Sequence, residues 1–346
     1  MNLSNTLIDW YSINKRNLPW RDTQDSYQIW LSEIILQQTQ VNQGLPYFNA
    51  FIAHFPTVFD LAKAKEESVL KLWQGLGYYS RARNLHHTAN HIVNELDGHF
   101  PKTYDGLIEL KGIGDYTASA IASICFDGPN AVVDGNVFRF LSRYFGVETP
   151  INSTKGFKEF KAIAQRILPE SNRGEHNQAI MEFGARQCKP SSPLCDQCPF
   201  VNSCVAVQKN LIEKLPVKIR KTKVSKRYFN YLVFISNDLK TVLKQRTGKG
   251  IWQNLYEFPL LESQSSLSES EILNSDGFKE LLNGNEFDLS LYNEDEVVHK
   301  LSHQHLHSKF WILRVDNLPL KGISINSIGR YPVPKLVSNF IDEFKF

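Results

Sequence analysis

Long apolar runs are missing from this chain. No 18-residue apolar stretch occurs in its 346 residues, and no N-terminal signal pattern. The expectation is a soluble, cytoplasmic protein (nucleoid-associated if bacterial) with no membrane partner. Cysteine is scarce: there are five, with four crowded into 188–204 and Cys125 apart on an apolar face. That crowding argues against a disulfide framework and for metal ligation in a reducing compartment. Strand patterns are lacking before residue 209, as are internal repeats. Acidic residues are nearly missing from 209–227, where eight lysines and arginines, Arg220, Lys221 and Lys223 among them, face Glu213 alone.

What is present suffices for two cores, since single domains rarely exceed roughly 250–300 residues. Residues 1–227 carry 27 Lys and Arg against 21 Asp and Glu; residues 228–346 carry 12 against 15. A basic first part suits a polyanionic partner. The spacing predicts a helical domain over 1–208, a basic linker over 209–227 stiffened by Pro216, and a small α+β domain over 228–346. In the last, 228–235, 241–245, 255–258 and 309–315 read as strands. Residues 268–283 and 335–344 read as helices.

The helical part is organised around Leu110 to Arg139. Gly112 and Gly114 flank Ile113 between two helical patterns, in a hairpin spanning about 107–126. Glycines let a ligand approach the backbone, and the free N–H groups of the next helix can hold a phosphate. Small residues Ala118, Ser119, Ala120 and Ala122 permit close helix packing. This is a helix-hairpin-helix pattern, a non-specific grip on DNA, although a plain Gly turn has the same glycines. Asp134-Gly135-Asn136 follows and puts a carboxylate just beyond the grip. Asp134 also suits a helix N-cap before Val137.

Upstream, 3–13 and 27–41 read as helices, the second with Trp30, Ile34 and Val41 at helical spacing. Glu33 breaks that pattern among Ile29, Trp30, Leu36 and Gln37. A carboxylate there is partly desolvated, which favours its protonated form and suits a general acid. The helix alone equally suits a glutamate on a solvated rim. Tyr78 and Tyr79 beside Arg81 and Arg83 suit a nucleic-acid surface, or equally core tyrosines with surface arginines. Cys188-x6-Cys195-x2-Cys198-x5-Cys204 closes a four-thiolate site, and the spacing leaves zinc and a four-iron cluster both open. The short loop Lys189–Pro193 can approach a phosphate.

Together these pieces resemble the MutY family of adenine DNA glycosylases, within the endonuclease III class. The resemblance rests on Leu18-Pro-Trp20, on Trp30 to Val41, on Trp73-Gln-Gly-Leu-Gly-Tyr-Tyr-Ser-Arg-Ala-Arg83, on the hairpin, on Val133 to Val137 and on the four cysteines. It implies two helical subdomains forming a helix-hairpin-helix glycosylase core with an iron–sulfur loop, and a C-terminal α+β Nudix-like domain. It implies a monofunctional enzyme, expected to act as a monomer on double-stranded DNA, excising adenine opposite 8-oxoguanine or guanine. Glu33 would protonate the flipped-out adenine and Asp134 would stabilise the oxocarbenium-like sugar, with Tyr116 beside them and Asn136 and Arg139 orienting Asp134 and the neighbouring phosphate. Gln38, Tyr78, Arg81, Gly112, Gly114, Arg139 and Lys189 would meet the DNA. Leu301, Ser302 and His303 would read the lesion. Cys188, Cys195, Cys198 and Cys204 would hold a [4Fe-4S] cluster.

The chain departs from the family in places. Lys111 replaces the hairpin's usual proline, Gln253-Asn254 replaces a glycine pair, and Leu301 replaces an aromatic residue. Tyr116 stands where lyase-active relatives carry a lysine, and a phenol cannot form the imine that lyase chemistry needs. No Nudix hydrolase box occurs in 228–346, so lesion recognition is expected there rather than nucleotide hydrolysis. A redox-sensing DNA-binding protein without excision activity would keep the cysteines and hairpin, but has no need of both Glu33 and Asp134.

Overall fold

The computed structural model describes residues 3–219, 224–282 and 284–346; Arg220, Lys221 and Lys223 of the basic linker lie outside them. The chain forms two compact units. The first holds 1–63 and 84–220; the second holds 64–83 and 221–346. Among the described residues no helix is long and apolar enough to cross a membrane.

The helices in chain order are α1 (Leu3–Asn14), α2 (Ser26–Leu36), α3 (Val41–His54), α4 (Val58–Lys63), α5 (Glu66–Leu72) and α6 (Ser80–Glu95). They continue as α7 (Tyr104–Ile108), α8 (Asp115–Phe126), α9 (Gly135–Phe145), α10 (Thr154–Ile167), α11 (Arg173–Arg186) and α12 (Val205–Gln208). In the first unit α2 starts where Asp25 accepts from the Tyr27 and Gln28 amides at 2.7 and 3.2 Å. Such a cap typically contributes about 1 kcal/mol. The helix is buried from Tyr27 to Ile35, Glu33 included. It packs on α8, whose small residues Ala118, Ser119, Ala120 and Ala122 are fully buried. Helix α11 packs against α1, α8 and α9. That places α2, α8, α9 and α11 around one cavity.

The spacing had suggested one helix over 27–41. Instead α2 ends at Leu36, and Gln38 takes a left-handed backbone with φ of 54°. Thr39 closes the turn by donating its amide to Leu36 O at 3.0 Å and its hydroxyl to Gln37 O at 3.2 Å. Val41 therefore opens α3. Polar residues 37–40 have no apolar face to bury, so nothing holds the helix together there.

The second unit contains β1 (Ser225–Ser236), β2 (Lys240–Thr241), β3 (Lys244–Gln245), β4 (Tyr256–Glu257), β5 (Leu260–Ser263), β6 (Phe287–Leu291), β7 (Val297–Lys300), β8 (Gln304–Val315) and β9 (Ile323–Ser324). Helices α13 (Glu269–Asn274), α14 (Asp276–Leu282) and α15 (Lys335–Phe344) complete it. Long strands β1 and β8 run parallel, Ser225 against Gln304 through Ser236 against Val315. β5 pairs with β1, and β6 and β7 pair with β8, all antiparallel. Leu232, Phe234, Trp311 and Leu313 pack under Ile272 and Phe278. The helix expected over 268–283 is two, broken at Ser275.

Segment 64–83 is stitched into this second unit. Arg83 Nη1 donates to Gln253 O at 2.9 Å, Asn254 Nδ2 to Glu66 Oε1 at 2.6 Å and Lys71 Nζ to Tyr331 O at 3.2 Å. The Gln253 main-chain carbonyl and the Asn254 side chain thus supply two of these ties.

Candidate active site

A cavity of about 550 Å³ opens among α2, α8, α9 and α11. Glu33, Tyr116, Asp134 and Asn136 all line it, as does Gln38. Residues far apart in sequence converge because α2 and α11 pack on α8 and α11 packs on α9.

Glu33 is buried, and burial pushes its carboxyl up to about 7; a hydrogen bond with Tyr116 opposes this and nearby Asp134 adds to it. The Tyr116 hydroxyl is also 3.1 Å from Met181 Sδ, and burial, Glu33 and Asp134 hold the phenol well above its ordinary value.

Asp134 is the N-cap of α9. Its Oδ1 accepts from the Asn136 and Val137 amides at 2.9 and 2.8 Å, and its Oδ2 from Asn136 Nδ2 at 2.7 Å. Burial raises this carboxyl, while those donors and Arg139 hold it down. Asp134 also lines the cavity, so the cap geometry fixes where its carboxyl stands.

Arg139 was expected both beside a DNA phosphate and orienting Asp134. The structure buries it: Nε donates to Cys188 O at 2.7 Å, and Nη2 to Asn136 Oδ1 at 2.9 Å and Gly184 O at 2.5 Å. A guanidinium so engaged orients Asn136, and through it Asp134. Arg81 differs from expectation in the same way. It is buried in the second unit over the Trp73 and Tyr78 rings, 5.1 and 5.7 Å from their centroids, and donates to Gly77 O at 3.1 Å. Burial lowers its guanidinium to about 10. It shapes the glycine turn that presents Tyr78.

The hairpin glycines differ from each other. Gly112 has φ of 84°, and a Cβ there would stand 2.7 Å from Asn84 Cβ, so glycine is required. Gly114 precedes α8, and a Cβ there would meet nothing within 4 Å. Its surroundings are open at the first turn of α8, whose leading amides have no intrahelical partner.

The four clustered cysteines line a second, small pocket walled by Phe140, Phe183 and Phe200. Arg143, which the sequence did not single out, anchors the loop by donating to Lys189 O at 2.7 Å and Pro190 O at 3.1 Å, with Nη1 3.5 Å from Cys188 Sγ. Lys189 itself is half-buried. Among the described residues no three His, Cys, Asp or Glu side chains are placed to hold a single metal ion.

In the second unit Leu301, Ser302 and His303 form the turn between β7 and β8. The Ser302 hydroxyl is hydrogen-bonded to that of Tyr78, which is itself half exposed on a left-handed backbone. Two residues singled out separately are thus neighbours.

Sequence reasoning missed Arg16, Arg21, Gln178 and Glu182 on the cavity wall. Both arginines clamp Glu182, Arg16 Nη2 at 2.5 Å and Arg21 Nη2 at 2.6 Å. Their hydrogen bonds outweigh burial and bring the Glu182 carboxyl down to about 2. The signal was available: Glu182, like Glu33, is an acid set among buried apolar residues, here Ile180 and Phe183.

A family model described as HhH-GPD superfamily base excision DNA repair protein matches residues 31–166, and a NUDIX domain model matches 230–343. The solved structure of a thermostable thymine-DNA glycosylase superposes with a TM-score of 0.55 at 27% identity, covering 60% of this chain and 95% of that one. The helical part is a helix-hairpin-helix base-excision glycosylase, and the C-terminal part an α+β Nudix domain. The adenine DNA glycosylase of Buchnera aphidicola subsp. Schizaphis graminum is 37% identical over 262 residues, 75% of each chain. That of Homo sapiens is 44% identical over 219 residues, 61% of this chain and 40% of the human one. The chain belongs to the adenine DNA glycosylases, hydrolases of N-glycosyl bonds in base excision repair.

Proposed function

We propose that the enzyme excises adenine paired with 8-oxoguanine or guanine in duplex DNA, with Glu33 as general acid and Asp134 as the stabilising carboxylate. The observation that carries this is one cavity lined by two carboxylates with different surroundings, Glu33 raised to about 7 and Asp134 tied by three donors. A base inside a duplex cannot reach such a cavity, so the adenine must be flipped out. Adenine leaves poorly until a ring nitrogen is protonated, and an acid with a pKa near neutral is suited to supply that proton. The sugar left behind is oxocarbenium-like, and Asp134 offers its charge from a fixed position. Asn136 and Arg139 position Asp134; Tyr116 shares a hydrogen bond with Glu33 and keeps the phenol neutral. Trp20, Gln178 and the Arg16–Glu182–Arg21 cluster provide a ring and polar edges against which a flat base can lie.

Gly112 and Gly114 let the hairpin backbone hold the DNA, with Gln38 and Tyr78 entering the duplex near the orphan base and Lys189 beside a phosphate. Leu301, Ser302 and His303 read the opposing base. A [4Fe-4S] cluster fits the four cysteines: the donor set is all thiolate, the pocket is walled by aromatic rings, and the Arg143 cation offsets negative charge. When bound, such a cluster ties the 188–204 loop together, and no step of the excision needs it. Tyr116 in place of an amine supports a monofunctional enzyme.

The test is Glu33→Gln in single-turnover excision, with a separate binding titration. The expected result is loss of excision with binding retained. Near-normal excision by the variant would remove Glu33 from the role.

A further inference from the structure

Helix α6 presents a basic edge next to the hairpin turn. Thr88 Oγ1 donates to Lys111 O at 2.7 Å, and the tight approach of Gly112 to Asn84 fixes the turn against the same helix. His87 lies between these two anchor points in sequence and is exposed, as are Lys111 and His91, one helical turn further on. The groups that bear on His87 are Lys111 from the hairpin and His86 and His91 from its own helix, and all of them are basic. A cluster of imidazoles beside a lysine, with no acid among them, suits an anion.

We propose that His87 is a proton-dependent phosphate contact, extending the hairpin's grip on the DNA backbone onto helix α6. The proposal rests on the hairpin being the DNA grip and adds a residue to it that the hairpin pattern does not contain. In the free protein, partial desolvation and then Lys111, His91 and His86 push the imidazole below its ordinary value, which favours its neutral form. A phosphate placed beside it reverses the local field and favours the imidazolium. Binding therefore takes up a proton. The sign follows: the bound-state pKa is the higher one, so the added affinity is fully present below the free-state pKa and is lost as pH rises through the bound-state value.

The experiment titrates the full-length protein with an undamaged duplex, so that no excision occurs, over a range of salt at about pH 6 and about pH 8. His87→Ala is expected to weaken binding roughly three- to tenfold at the lower pH and less than about twofold at the higher. Its log–log salt slope should fall by about 0.9 at the lower pH. His87→Lys, which carries its charge at both values, should bind tightly at both and lose this pH dependence. Gly114→Ile, whose side chain meets open space but blocks close approach to the hairpin backbone, separates the readings. If it weakens binding while His87→Ala keeps the parent's pH dependence and salt slope, His87 is not a contact and the hairpin grip stands. If neither variant changes binding, the grip and its extension fall together.

Discussion

Asn136 Nδ2 donates to Asp134 Oδ2 at 2.7 Å, while the other Asp134 oxygen caps α9. The carboxylate therefore serves helix and cavity at once, and the two roles separate by substitution. Asp134→Asn keeps a capping oxygen and should change stability by less than about 1 kcal/mol, whereas Asp134→Ala should cost about 1 kcal/mol. Both should abolish excision. Thermal melts beside single-turnover assays check this; an active Asp134→Asn would leave only the cap.

Asn136→Leu removes a hydrogen bond to a charged group, of the kind worth about 1.5–3 kcal/mol. Excision should slow by roughly ten- to a hundredfold with little change in DNA affinity. Equal losses in affinity and rate would mean that the substitution deforms the DNA-binding surface instead.

How much could be read before the fold was known depended on how local each signal was. The hairpin was legible because Gly112 and Gly114 act within a few residues of themselves. Glu33 was legible as an acid in an apolar helix. The break at Gln37 was not, because Val41 continues the helical spacing of Trp30 and Ile34 while belonging to α3. Arg81 was read as a surface cation, and only tertiary packing shows that the Gly77 carbonyl takes it up. Residues 241–245, read as one strand, are the separate two-residue strands β2 and β3, too short to show where one ends and the next begins.

The cysteine pocket predicts a brown protein with broad visible absorbance and iron by elemental analysis. Arg143→Met should lower iron content, because Lys189 and Pro190 lose the donor that holds their loop. A colourless protein containing zinc would overturn the cluster assignment and leave the excision site untouched.

Ser302→Ala should lower the preference for adenine opposite 8-oxoguanine over adenine opposite guanine, one base contact being worth about 1–3 kcal/mol of discrimination. Competition between the two mispairs measures it, and an unchanged ratio of rates at equal stability would show that the loop does not read the lesion. Removing residues 228–346 is the blunter test. It strips segment 64–83 of its ties to Gln253, Asn254 and Tyr331, so that truncation should also destabilise the glycine turn bearing Tyr78.

The most direct measurement is the single-turnover rate of adenine excision against pH. Burial holds the Glu33 carboxyl at about 7, so its protonated form is the majority below that value and disappears above it. The rate should fall about tenfold per pH unit above roughly 7, and fall again in acid as Asp134, raised by burial, takes up a proton, with DNA binding followed separately. A rate that stays constant through about pH 9 while binding is intact would contradict Glu33 as the proton donor.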